Sequence, residues 1–146
     1  MNVDVVTEIV IDRPIATVVG YSADPTNAPE WYAKISSVEW QTTPPVAVGS
    51  RMAFVAQFLG KRLAYTYEVA ELTGERLVMG TTQGPFPMET TYTWAPGGAD
   101  RTRMTLRNRG VPTGFSKLTA PLIVTAIRRA NRKDLRNLKA IIEARP

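Results

Sequence analysis

The chain has 146 residues, of which 44% are hydrophobic and 21% are charged, and its formal net charge is +5. These values are typical of one soluble globular domain, so we expect a single domain over residues 1–146. Cysteine and histidine are both absent, which excludes disulfides, thiolate nucleophiles, histidine-based triads and most zinc sites. We therefore expect no metal and no cofactor, and any catalysis would rely on carboxylates, Lys, Arg, Tyr or water.

The amino-terminal segment predicts a strand. Val3 and Val5 alternate with acidic residues such as Asp4, and the pattern favours one buried face over residues 2–12. The acidic residues argue against a signal peptide, and no apolar run reaches membrane-spanning length. We expect a cytoplasmic protein.

Two short helical segments are predicted next. Pro14 suits the first turn of a helix over residues 14–22, because proline lacks the N–H that would be unpaired there. Asp24 followed by Pro25 is a second helix-start signal, which predicts one irregular helical segment ending near Lys34.

Short segments rich in Val, Phe, Tyr, Thr and Leu follow, separated by glycine and proline turn signals. Connections this short indicate an antiparallel meander, and Gly97 and Gly98 are predicted to form one of its turns. The predicted strands cover residues 36–42, 49–59, 62–73, 76–83, 85–95 and 101–109.

The last segment, from about Ser116 to Arg145, contains no glycine and predicts one long helix. Pro121 should kink or restart it. Residues spaced by three and four positions define a buried stripe: Val124, Ile127, Asn131, Leu135, Leu138 and Ile142. The predicted fold is α+β, with a seven-stranded curved antiparallel sheet around the long carboxy-terminal helix and two short helices between strands 1 and 2.

The order of these motifs resembles a known family. "IDRP" at residues 11–14 leads into a helix, "SADP" at 22–25 precedes the second helical segment, and "VGSR" at 48–51 opens a strand. This order is similar to the START-like, helix-grip SRPBCC superfamily, which includes the birch-pollen-allergen-like fold, and within it to the polyketide cyclase/dehydrase and lipid transport branch. The resemblance implies a cavity between sheet and helix that binds lipids, polyketides or other apolar molecules. Members of the branch include binders, carriers and aromatase/cyclases, so the fold alone leaves the activity open.

One predicted strand carries large side chains that could line such a cavity. Phe86, Met88, Thr90, Tyr92 and Trp94 alternate with polar residues and should share one face. These side chains could simply be core, or some of them could line a cavity.

We expect ligand contacts from large side chains on the dry face of the sheet and from one polar residue of the long helix. Tyr65 and Asn131 would orient the ligand, because a buried polar group needs a partner; Asn108 is a further candidate. Bonds to backbone or buried water are the alternative. The candidate ligand-binding residues are Phe54, Phe58, Tyr65, Tyr67, Met79, Met88, Tyr92, Trp94, Met104 and Asn131.

Other conspicuous residues have simpler explanations. Trp31 should pack under the short helices, Asp24 should cap a helix, and Glu30 should be a solvated charge. Neither acid has a second carboxylate at a predictable distance, so no general-acid pair is predicted and no catalytic residue is assigned.

Basic residues crowd two faces, and solvated outer surfaces explain them best because the aromatic residues lie on the dry faces. Docking to an anionic membrane or acidic carrier is a secondary alternative, without stable membrane insertion. These residues are Arg101, Arg103, Arg107, Arg109, Arg128, Arg129, Arg132, Lys133, Arg136 and Lys139.

Three functional hypotheses follow. The first is a carrier or sensor whose partner is a small hydrophobic or amphipathic molecule such as a lipid or polyketide. The second is a polyketide cyclase/dehydratase-like enzyme in which a Tyr or Arg assists proton transfer. The third, an anionic-surface or nucleic-acid binder, ranks last, and we expect no nucleic-acid partner. A homodimer stays open as the oligomeric state.

Overall fold

The computed structural model describes residues 2–115 and 119–145. In this part of the chain seven antiparallel strands form one sheet in the order β1-β7-β6-β5-β4-β3-β2, and the long helix α3 follows them. The predicted α+β helix-grip fold is confirmed. The elements are β1 (Val3–Ile11), α1 (Ile15–Ser22), a 3-10 turn (Pro25–Asn27), α2 (Ala28–Trp31), β2 (Ile35–Trp40), β3 (Arg51–Phe58), β4 (Lys61–Leu72), β5 (Arg76–Gln83), β6 (Met88–Gly98), β7 (Arg101–Gly110) and α3 (Ala120–Glu143).

The first strand of the chain pairs with the last one. β1 lies antiparallel to β7, and the Thr7 hydroxyl donates to the Leu106 carbonyl oxygen at 3.4 Å. On its other side β1 is held by α3, because Lys139 Nζ donates to the Val10 carbonyl oxygen at 2.8 Å. The same end of α3 is fixed by Glu143, whose Oε2 accepts from the Asp12 backbone N–H.

Irregular pairings curve the sheet. The register shifts once between β2 and β3, twice between β4 and β5 and once between β6 and β7, and each such bulge bends its strand and increases the local twist. β3 and β4 are joined by the two residues Leu59 and Gly60, both with positive φ, as the tightest right-twisting hairpins require. The sheet is therefore concave towards α3.

Pro121 lies at the start of α3, so of the two predicted effects, a kink or a restart of the helix, the kink is wrong. Thr119 is the residue before the helix, and Pro121 lies in the first turn, where a missing N–H costs no helical hydrogen bond. α3 then runs without interruption to Glu143. The predicted start at Ser116 falls outside the described residues.

Three further boundaries differ from the prediction. Gly97 and Gly98 belong to β6, and the turn before β7 lies at Ala99 and Asp100. Phe86 precedes β6, although its side chain is still buried. The second helical segment ends at Trp31 rather than near Lys34, because β2 begins at Ile35.

Two apolar clusters fill the space between sheet and helices. The larger one joins α1, α2, the sheet and the second half of α3. The smaller one lies where the first turns of α3 meet the segments before β6 and after β7, and contains Val3, Leu63, Phe86, Phe115 and Ile123. Ile123 is fully buried there, whereas the predicted stripe residue Val124 is only half-buried.

Candidate functional site

A cavity of about 180 Å³ lies between the concave face of the sheet and α3. For comparison, a cavity of about 150 Å³ in another protein holds one benzene molecule. The side chains that border it are mostly aromatic, aliphatic or methionine. The strands contribute Ile35, Phe54, Phe58, Leu63, Tyr65, Tyr67, Leu77, Met79, Met88, Thr90, Tyr92 and Asn108, and α3 contributes Ile127, Ala130, Asn131 and Asp134.

Eight of the ten candidate residues from the sequence border this cavity. They come from β3, β4, β5, β6 and α3, so the fold brings together side chains that lie far apart in the chain. These eight are Phe54, Phe58, Tyr65, Tyr67, Met79, Met88, Tyr92 and Asn131.

Trp94 and Met104 do not border the cavity, which corrects the expectation that they line it. They face each other across β6 and β7 and are buried in the larger cluster. The Trp94 indole N–H donates to the hydroxyl of Ser22, the last residue of α1, at 3.1 Å. Both residues lie on the dry face, but α1 fills the space in front of them.

A chain of three hydrogen-bonding side chains borders the cavity on β4, β6 and β7. The Thr90 hydroxyl donates to Asn108 Oδ1 at 2.8 Å, and it lies 2.8 Å from the Tyr67 hydroxyl. Since Thr90 has one proton and gives it to Asn108, Tyr67 must be the donor in the second bond. Burial raises the pKa of Tyr67 to about 12, although its bond to Thr90 opposes the change.

A second pair of hydroxyls borders the cavity where α2 leads into β2. The oxygens of Tyr32 and Tyr92 lie 2.7 Å apart. One of the two hydroxyl protons lies between the oxygens, so the second hydroxyl proton is available to a further acceptor. Burial raises the pKa of both phenols, and the neighbouring Asp134 raises it further, so both hydroxyls stay protonated near neutral pH.

Tyr65 extends the aromatic wall. Its ring stacks on Phe54 with centroids 5.6 Å apart and meets the Tyr67 ring edge-on at 5.0 Å. Burial and then the nearby Tyr67 raise the pKa of the Tyr65 hydroxyl. These tilted and offset contacts are the arrangements that aromatic rings prefer, so the wall is well packed without a ligand.

Asn131 is the polar residue in the buried stripe of α3, and it is 5% exposed. Its amide nitrogen Nδ2 has no hydrogen-bond partner among the described residues. Leaving a buried amide unpaired costs about 1–3 kcal/mol. The described residues therefore leave this buried amide, which lies beside the cavity, without a hydrogen-bond acceptor.

Asp134 also borders the cavity and is 3% exposed. Its Oδ1 accepts from the backbone N–H of Ala33 at 3.0 Å, which ties α3 to the segment between α2 and β2. Burial raises the pKa of this carboxyl to about 6, against the opposing effects of the Ala33 N–H and the ammonium groups of Lys133 and Lys34. Such a group changes charge close to neutral pH.

Sequence reasoning did not select Asp134 or Tyr32 for the site. Asp134 follows Asn131 by three residues, and positions three apart share one helix face, so the helical spacing could have identified it. Tyr32 lies in an irregular segment, where no periodicity predicts the direction of a side chain.

Three other residues lie near the site. Trp31 is buried beside Tyr32 and Tyr92, outside the cavity lining, and its Nε1 has no hydrogen-bond partner in the described part of the chain. Asp24 caps the 3-10 turn by accepting from the Thr26 backbone N–H, as predicted. Glu30 is exposed but is not free, because Tyr21 donates to it at 2.6 Å.

Charged residues lie mainly on the outer faces. Three arginines of β7 pair with acids on neighbouring segments: Arg101 with Asp12, Arg107 with Asp4 and Arg109 with Glu89. Within residues 2–115 and 119–145, no helix is both long and apolar enough to cross a membrane. The same residues contain no group of three or more acidic side chains that could hold a metal ion.

A family model described as polyketide cyclase / dehydrase and lipid transport matches residues 2–143. The chain belongs to this family. The resemblance to the SRPBCC superfamily noted from the sequence is thereby confirmed. No curated protein matches the sequence.

Several solved structures have the same fold as this chain. A protein from Thermus thermophilus, TTHA0849, is 22% identical, with a TM-score of 0.83 over 97% of this chain and 98% of that one. A START superfamily protein from Mycobacterium smegmatis is 14% identical, with a TM-score of 0.82 over 97% of each chain. The Zhui aromatase/cyclase from Streptomyces sp. R1128 is 14% identical, with a TM-score of 0.80 over 98% of this chain and 94% of that one. At sequence identities this low, the similarity shows a shared fold and does not determine the activity.

Proposed function

We propose that this member of the polyketide cyclase/dehydrase and lipid transport family binds a small hydrophobic or amphipathic molecule in the cavity between the sheet and α3. The observation that carries the proposal is the cavity itself, apolar on most of its wall and bordered by a few convergent polar groups. Binding sites for small molecules commonly have this composition. We expect this carrier or sensor to act in the cytoplasm.

The volume favours a compact ligand. Pockets for drug-sized molecules commonly measure about 300–1,000 Å³, and the cavity of about 180 Å³ is smaller. A molecule of one or two rings fits this space better than a lipid with two long acyl chains. Apolar contact with Phe54, Met79 and Met88 would supply affinity, and methionine adapts readily to different shapes.

Native mass spectrometry of freshly purified protein, followed by extraction of any retained compound, tests the proposal directly. A matched pair of variants on α3 provides the control. Ala130 borders the cavity, so Ala130→Leu should abolish retention by filling the space, whereas Ala140→Leu on the exposed side of the same helix should retain the compound. Equal retention by both variants would place the bound molecule elsewhere.

A cyclase or dehydratase activity in the same cavity is the second candidate, and Asp134 is the observation in its favour. Cyclisation with loss of water removes a proton from carbon and delivers one to oxygen, and a carboxyl with a pKa near the working pH does both efficiently. The pKa of Asp134, about 6, meets this requirement. The similar fold of an aromatase/cyclase is consistent with this candidate.

Asp134→Asn separates the two candidates. The amide keeps an acceptor for the Ala33 N–H but cannot exchange a proton near neutral pH. Under the enzyme hypothesis this variant binds a polyketide-like substrate and does not convert it. Tyr92→Phe tests the phenol in the same way, since loss of turnover with unchanged binding would identify its hydroxyl as the acid.

A further inference from the structure

Two polar groups of α3 border the cavity side by side. Asn131 and Asp134 are three positions apart, so their Cβ atoms lie about 5–6 Å from each other on one helix face. Each is at least nine-tenths buried, and both contribute to the cavity wall. Most of the remaining wall near them is apolar.

Neither group has its full set of hydrogen bonds. Asn131 Nδ2 has no partner among the described residues, and a half-turn of the amide about its last torsion angle exchanges its donor and its acceptor. Among residues 2–115 and 119–145, Asp134 has one donor, the Ala33 N–H, although a carboxylate accepts up to about four bonds. The pair therefore offers one donor and at least two acceptor sites.

We infer that the cavity selects a neutral ring compound bearing a hydroxyl group, which binds between Asn131 and Asp134. This inference rests on the proposed function and names its ligand class. When the Asn131 amide turns its Nδ2 towards the cavity, one hydroxyl can donate its proton to the Asp134 carboxylate and accept from Nδ2 at once. A ketone can only accept, so it gives Asp134 no further donor, and a hydrocarbon gives neither side chain a new hydrogen-bond partner.

Charge also separates ligand classes at this site. An ionised Asp134 repels a ligand carboxylate across a cavity of low polarity. Its charged and titratable surroundings are Lys34, Lys133 and the phenols of Tyr32 and Tyr92. Both lysines are exposed, so water screens their attraction for an anion inside.

Three ring compounds of similar size provide the test: p-xylene, p-cresol and p-toluate. p-Cresol differs from p-xylene by a hydroxyl in place of a methyl group, and p-toluate replaces that group by a carboxylate. NMR titration of the full chain at pH 8 gives the three dissociation constants. We expect p-cresol to bind about tenfold more tightly than p-xylene, the usual effect of one or two net hydrogen bonds, and p-toluate to bind most weakly.

Two variants assign the preference to these side chains. Asn131→Leu, close in volume, should remove the preference for p-cresol while p-xylene still binds. Asp134→Asn, which keeps an acceptor for the Ala33 N–H, should weaken p-cresol severalfold because bonds to charged acceptors are the stronger ones. It should leave the affinity for p-xylene unchanged.

Each contrary result has a distinct meaning. If the wild-type protein binds p-xylene as tightly as p-cresol, the inference is overturned while the cavity remains a binding site. Tightest binding of p-toluate would also overturn it, and would point to one of the cations that border the cavity, Lys34 or Arg109, as the anchor. Failure of all three probes to bind would overturn the proposed function together with the inference.

Discussion

The buried carboxyl of Asp134 should make the stability of this protein depend on pH. Its pKa rises from an ordinary value of 3.8 to about 6 in the folded protein, chiefly because burial disfavours the charged form. The folded state therefore binds more protons than the unfolded state between these values, and stability falls as pH rises through this window. The difference between the two pKa values corresponds to roughly 3 kcal/mol of folding free energy.

Asp134→Asn removes this titration with little change in shape. At pH 4 the folded forms of the variant and of the wild-type protein both carry a neutral group at this position, so their stabilities should be closest there. At pH 8 the wild-type carboxylate is ionised, and the variant should be more stable by up to about 3 kcal/mol, which raises Tm by roughly 6–12 °C in a chain of this size. Urea denaturation at several pH values measures the difference directly, and all other titrating groups cancel between the two proteins.

The decisive quantity is the change of that difference with pH. A stability difference that is the same at pH 4 and pH 8 would refute the reasoning, since it would mean that Asp134 ionises as easily in the folded as in the unfolded state. A carboxyl resonance followed by NMR against pH provides an independent check. It should show a midpoint near 6 in the folded protein.

Three further changes have expected outcomes. Met104→Ala should destabilise the protein by about 2–5 kcal/mol in urea denaturation but leave p-xylene affinity unchanged, because Met104 is fully buried outside the cavity. Thr90→Val should cost about 1–3 kcal/mol, since it leaves the hydroxyl of Tyr67 without its acceptor. Reversing the exposed Arg132 and Arg136 to Glu should leave p-xylene affinity unchanged at any salt concentration; a large loss would contradict the cavity as the binding site.

Much of the fold could be predicted because its signals are local. The pattern that predicted a strand over residues 76–83 has the same extent as β5, and the three- and four-residue spacing of Leu135, Leu138 and Ile142 matches the buried side of α3. Each signal depends only on the geometry of its own element. The shared face of a strand or helix is therefore accessible from the sequence.

The cavity was less predictable because it depends on how elements cover one another. Trp94 and Tyr92 lie on the same face of β6, yet α1 covers the first and leaves space beside the second. Likewise, a carboxylate such as Asp134 ordinarily indicates a solvent-facing position. In the folded protein Asp134 is buried, and the segment containing Ala33 docks onto α3 and donates a backbone N–H to it.

The pairing of β1 with β7 also has a consequence for synthesis of the chain on the ribosome. Thr7 and Leu106 are 99 residues apart, so the strand made first has to wait for the strand made last before its ladder can close. Contacts between residues so distant in the chain slow folding. Until β7 is available, the apolar strand β1 can pair with non-native strands of the same or another chain. The exposed acids Asp4 and Glu8 alternate with its apolar residues, and like charges at these positions discourage pairing of one waiting strand with another.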